Sequence, residues 1–107
     1  MSERLRRYLA PLKHVDAGYA TPAEAARYLI DRLAHAGDVD LFPALRDSLP
    51  EAIKTEVLDY LVELASTGFT RYTSGVGSSP VSEEALLKDQ ERVRNNYAKL
   101  GELAGVA

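Results

Sequence analysis

The 107-residue chain is 46% hydrophobic and 27% charged, carries a formal net charge of −3 and contains no cysteine. That length supports one domain, residues 1–107, with one core. The missing cysteines exclude disulfides, thiolate zinc sites and thiol catalysis, and they fit a reducing cytoplasm. No run approaches about 18 uninterrupted apolar residues, so no membrane span is expected.

The N-terminal segment "MSERLRRYLAPLKH" lacks the apolar block of a signal peptide, so a cytoplasmic location is expected. A first helix is predicted over 3–10, with Leu5, Tyr8, Leu9 and Leu12 at helical spacing. Pro11 lacks an amide donor and restricts Ala10, so the helix should end or kink there, with a loop through "DAGYATP". Arg4, Arg6, Arg7 and Lys13 against Glu3 leave residues 1–15 at +3. Such a short basic helix could rest on an anionic surface. Docking on an acidic part of the same chain is the simpler expectation, and it should weaken with salt.

The strongest start signal is Thr21-Pro22-Ala23-Glu24, a reciprocal capping box with proline at the first helical position. It opens a helix over 22–36, with Ala26, Leu29, Ile30 and Leu33 as its inner stripe and Gly37 as its stop. Asp40 should cap a short helix over 41–47. Ser48-Leu49-Pro50-Glu51 reads as a second capping box, opening a helix over 50–66. Ile53, Val57, Leu58, Leu61, Leu64 and Ala65 are its expected core face. Gly68 should stop it, with Phe69 packing back on Leu64.

Residues 68–81 form a connector longer than the ~2–8 residues usual between packed helices. "FTRYTSGVGSSPVSEE" is no phosphate cradle: Pro80 has no amide, no lysine adjoins the glycines, and Glu83 and Glu84 hold the helix end an anion would need. It is either a plain connector or a recognition loop in which Phe69, Arg71 and Tyr72 are the adhesive residues. The last helix is predicted over 82–103. Ser82 should cap it, Val81 and Leu86 should clasp across the cap, and Leu86, Val93, Tyr97, Leu100 and Ala104 form the stripe. Its middle, "KDQERVRNN", has one apolar residue and should be solvated or lie against a partner. The fold class is therefore all-α, a compact bundle of four to five helices. The recurrence of Leu-Ala-x-x-Gly at 33–37 and 64–68 follows from two glycine-stopped helices and needs no internal repeat.

Candidates for chemistry are few. His35, Asp38 and Asp40 offer one nitrogen and two carboxylates to a metal, but helix capping and solvation account for both acids, so neither metal nor cofactor is expected. No serine stands in a nucleophile elbow, and neither histidine has an evident orienting acid. Helices 22–36 and 41–47 invite a helix-turn-helix reading. The would-be recognition helix "LFPALRDS" has one basic residue, and residues 16–67 carry ten acids against four bases, which opposes a phosphate backbone. DNA binding is thus the lesser alternative, and no nucleic-acid partner is expected.

The expected function is a non-enzymatic protein–protein interaction module whose acidic surface meets a basic partner. One specific form is an inhibitor or immunity-type protein, another an accessory subunit of a complex. The candidate contacts are Phe69, Arg71, Tyr72, Asp59, Glu63, Asp38, Asp40 and Asp47. A structural homodimer formed through the C-terminal helix, with Tyr97, Leu100 and Leu103 as its seam, is the alternative.

Overall fold

A computed structural model describes residues 2–69 and 83–106, with side chains for all of these except 83–86. Among the described residues every regular element is helical. They are α1 (Glu3–Leu9), a 3-10 turn (Ala10–Leu12), α2 (Lys13–Asp16), α3 (Pro22–Ala36), a second 3-10 turn (Val39–Leu41), α4 (Phe42–Asp47), α5 (Glu51–Ser66) and α6 (Glu83–Ala104).

The bundle is organised on α3. Thr21 Oγ1 accepts from the Glu24 amide at 3.1 Å and Glu24 Oε1 accepts from the Thr21 amide at 3.0 Å, so the capping box closes in both directions. Ala26, Leu29, Ile30 and Leu33 are fully buried, as their spacing implies. At the other end Gly37 sits at φ 76°, a left-handed conformation in which any Cβ is strained, and its amide bonds the Leu33 carbonyl.

α3 packs along both α5 and α6. Contacts fix the directions. Arg27 reaches Glu63 at 3.6 Å and Asp31 reaches Tyr60, so α5 runs antiparallel to α3. Tyr97 bonds Asp31, Asn96 bonds the Ala34 carbonyl and Arg92 bonds the His35 carbonyl, so α6 is antiparallel to α3 as well. The last two bonds occupy carbonyls that the end of α3 leaves without helical partners. The polar middle of α6 thus has an internal use that its composition does not announce. Ile53, Val57, Leu61 and Leu64 of α5 close the core with Val93, Tyr97 and Leu100 of α6. Each such side chain contributes about 1.5–3 kcal/mol before entropy is subtracted.

The structure corrects several expectations. Leu58 is 45% exposed, and the core position on that turn belongs to Tyr60, whose hydroxyl finds a partner. The break at Pro11 is as expected, α1 giving way to a 3-10 turn, but the chain then resumes as the short helix α2. The Ser48 capping box does not form. Ser48 closes α4 in a helical conformation and its hydroxyl donates to the Ala44 carbonyl, while Pro50, extended at ψ 152°, precedes α5. Asp40 caps nothing; it lies inside the second 3-10 turn, and Leu41 precedes α4 without a side-chain cap. The expected Ser82 cap and the Val81–Leu86 clasp lie outside the described residues.

Phe69 ends α5 as the sequence implies, with its amide on the Leu64 carbonyl at 2.9 Å and the Gly68 amide on Ala65. Its ring then lies against α6, so close to Gly101 that a Cβ there would stand 2.7 Å from Cζ. Glu83 begins the same helix eighteen residues earlier, roughly 27 Å away at 1.5 Å per residue. The two helix ends that the connector joins therefore lie far apart along α6, which accounts for its length.

Gly101→Ala should accordingly cost about 1 kcal/mol, the gain in helix propensity being outweighed by displacement of the Phe69 ring. With Phe69→Ala already in place, the same change should add about 1 kcal/mol of stability. Urea unfolding of the four proteins checks this, and equal effects in both backgrounds would refute the contact.

Candidate functional site

The sequence candidates separate into three groups. Asp59 and Glu63 stand a turn apart on the outer face of α5, both exposed. Glu63 is 3.6 Å from Arg27, a solvent-exposed pair that contributes little stability. On the same outer face are Leu58 and Val62, 45% and 52% exposed, again one turn apart. The inward residues Val57, Tyr60, Leu61 and Leu64 leave this strip pointing at solvent. α5 thus presents two apolar side chains bordered by carboxylates.

Asp38 and Asp40 belong elsewhere. Asp38 Oδ1 accepts from the Arg4 guanidinium, and its other oxygen accepts from the Tyr8 hydroxyl at 2.7 Å. Arg4 also lies 3.6 Å from Asp40. The Tyr8 and Arg4 donors hold the Asp38 carboxyl below its ordinary range. Burial, and then the bond to Asp38, push Tyr8 up to about 12. The basic first helix therefore docks on an acid of its own chain. Asp38 is spent on that strap, while Asp40 and Asp47 keep most of their surface in water.

Phe69, expected as an adhesive loop residue, is a packing residue against α6. Arg71 and Tyr72 lie outside the described residues. Tyr97 and Leu100 are 2% and 0% exposed, so the proposed dimer seam is already used inside the chain. The supposed DNA-recognition helix, α4, buries Phe42 and Leu45 and ties Arg46 to the Leu103 carbonyl at 3.2 Å.

Two features were not found by sequence reasoning. Asp31 accepts from the hydroxyls of Tyr60 at 2.6 Å and Tyr97 at 2.7 Å, joining α3, α5 and α6 at one carboxylate oxygen. The second is a cleft of about 560 Å³ between the 11–20 segment and α3. Pro11, Leu12, Ala25 and Leu29 give it apolar walls, and Tyr19 and Tyr28 border it at 83% and 45% exposure. Tyr28 lies on α3 and Tyr19 in the loop before it, so nothing local in the sequence announces the cleft.

Among the described residues no three His, Cys, Asp or Glu side chains converge as a metal site requires. His35 stands edge-on to Tyr97, with ring centroids 6.4 Å apart, rather than beside Asp38. Also among the described residues, no helix is long and apolar enough to cross a membrane. Compared with known proteins, the chain matches no family model, no curated protein and no solved structure.

Proposed function

We propose that the chain is a small non-catalytic protein–protein interaction module that works through the outer face of α5. The carrying observation is Leu58 and Val62 left half in water on successive turns, with Asp59 and Glu63 beside them. Apolar anchors supply affinity once water is displaced, and a charged border selects the partner and speeds encounter. Carboxylates on that border favour a partner with lysine or arginine around an apolar patch. An inhibitor or immunity-type protein that covers a basic site is one form of this reading, and an accessory subunit is another.

The test compares the native chain with a Leu58→Gln/Val62→Gln variant as baits in the native cell extract, followed by calorimetry with the recovered protein. Glutamine preserves helix propensity, so stability should change by no more than about 0.5 kcal/mol. The native bait should retain a stoichiometric partner whose affinity falls with salt, and the variant should bind it at least about tenfold more weakly, the effect of losing ~1.4 kcal/mol. Equal capture by the two baits would remove α5 as the contact surface.

A further inference from the structure

The cleft between the 11–20 segment and α3 is separate from the α5 face, and its chemistry is distinctive. Its size falls within the roughly 300–1,000 Å³ of ligand clefts. Leu12, Ala25 and Leu29 form an apolar floor, and two tyrosine rings stand at the rim. Tyr19 is 83% exposed, unusual for so large an aromatic ring.

Three hydrogen-bond donors stand at the rim. Tyr28 Oη accepts from Arg32 Nη1 at 2.9 Å, which leaves its own proton to donate outward. Tyr19 brings a second hydroxyl, and His14 has a ring N–H in either tautomer. Two of the acceptors are already engaged. The His14 carbonyl takes the amides of Tyr19 and Ala20, and Glu24 Oε1 takes the Thr21 amide. The second Glu24 oxygen is left as the one negatively charged acceptor among the residues that line the cleft.

We infer that this cleft docks a proline-rich peptide in the polyproline II conformation, with a basic residue next to its prolines. Prolines have no N–H to satisfy, and every carbonyl of that helix is free to accept, so such a ligand is donor-poor and acceptor-rich. It meets the tyrosine and histidine donors without stranding a polar group. Its pyrrolidine rings suit grooves lined by aromatic rings, and its stiffness lowers the entropy lost on binding. The flanking lysine or arginine answers the free oxygen of Glu24 by charge complementarity.

The probe is a proline decamer ending in arginine, with a Gly-Ser decamer ending in arginine as control. Amide shifts, read residue by residue, report on the site directly. Saturable shifts confined to residues 11–29 are expected with the proline peptide alone. Tyr19→Ala should weaken binding about tenfold with no change in thermal melting. Tyr28→Phe keeps the ring but lacks the donor, and should weaken it severalfold. Glu24→Gln retains the capping box and should abolish the preference for the arginine-ended decamer over a plain one. No saturation by about 1 mM peptide overturns the inference. So do equal shifts from the Gly-Ser control, or Tyr19→Ala binding like the native chain. Concentration-dependent shifts at 11–29 without peptide overturn it too, because they assign the cleft to a second copy.

Discussion

Replacing Asp31 with alanine should destabilise the fold by about 3 kcal/mol, on the order of 15 °C in melting temperature for a domain of this length. Tyr60 and Tyr97 are 3% and 2% exposed, and both hydroxyls rest on one Asp31 oxygen. Removing the acceptor takes the Asp31 bond from two buried hydroxyls at once, each loss costing about 1–3 kcal/mol. Asp31 is itself only partly buried, so water can recover some of that loss, which places the sum in the lower half of the range. Asp31→Asn retains an acceptor and should cost about half as much. The decisive comparison is Asp31→Ala in a Tyr60→Phe/Tyr97→Phe background, where neither hydroxyl is present to lose its Asp31 bond and the penalty should fall to about 1 kcal/mol or less. Urea unfolding measures all of these. An Asp31→Ala protein within 0.5 kcal/mol of the native one would mean that the carboxylate pins nothing.

That carboxylate also shows where the sequence stops being readable. α3 was legible from end to end, because a capping box, a proline, an apolar stripe and a glycine stop are all local signals over residues 21–37. Asp31 within it looks like any solvent-facing acid, since its partners lie 29 and 66 positions away. The Leu58 error has the same origin. Leu58 and Tyr60 lie on opposite sides of α5, and hydropathy prefers leucine for the core. Tyrosine wins because Asp31 satisfies its hydroxyl, so burying it costs no unpaired polar group. Without Asp31 in view, the choice could only go the other way.

The candidate surface divides similarly. Asp59 and Glu63 were placed correctly on the outside of α5, because a helix with a clear inner stripe defines its outer one. Asp38 was grouped with them on charge alone, and only tertiary structure shows it bound to Tyr8 and Arg4. The +3 N-terminal segment and the acidic middle did predict that the two would dock, without naming the residues. Phe69 was recognised as the residue that closes α5, yet its second contact, with Gly101, depends on α6 lying beside it. The aromatic cleft had no sequence signature, because Tyr19 and Tyr28 come together only when the kinked 3–16 segment folds back across α3.

The Tyr8–Asp38–Arg4 strap should give the chain a stability plateau that falls away on both the acid and the alkaline side. Asp38 has its folded pKa below the ordinary 3.8 of a free aspartate, so its contribution is complete above about pH 4 and is lost as pH falls through the lower folded value. Tyr8 shifts the opposite way, from 10.0 to about 12, because burial and the anion of Asp38 favour its neutral hydroxyl. Its contribution is complete below pH 10 and declines as pH rises through about 12. At ~1.36 kcal/mol per unit that alkaline limb amounts to roughly 2–3 kcal/mol. Tyr8→Phe should abolish the limb between pH 10 and 12 and cost about 1.5–3 kcal/mol at neutral pH, the value of a hydrogen bond to a charged acceptor. Absorbance at 295 nm should likewise show one tyrosine more ionising near pH 12 in the native chain than in the variant. Arg4 is half exposed, so its share is screened by salt. Amide exchange over residues 3–16 should therefore quicken between 0.05 and 1 M salt, over Debye lengths of about 14 to 3 Å, while α3 and α5 hold their rates. Exchange that rises equally across all three helices would show that the strap is no separate unit, and that Tyr8 and Asp38 melt only with the whole core.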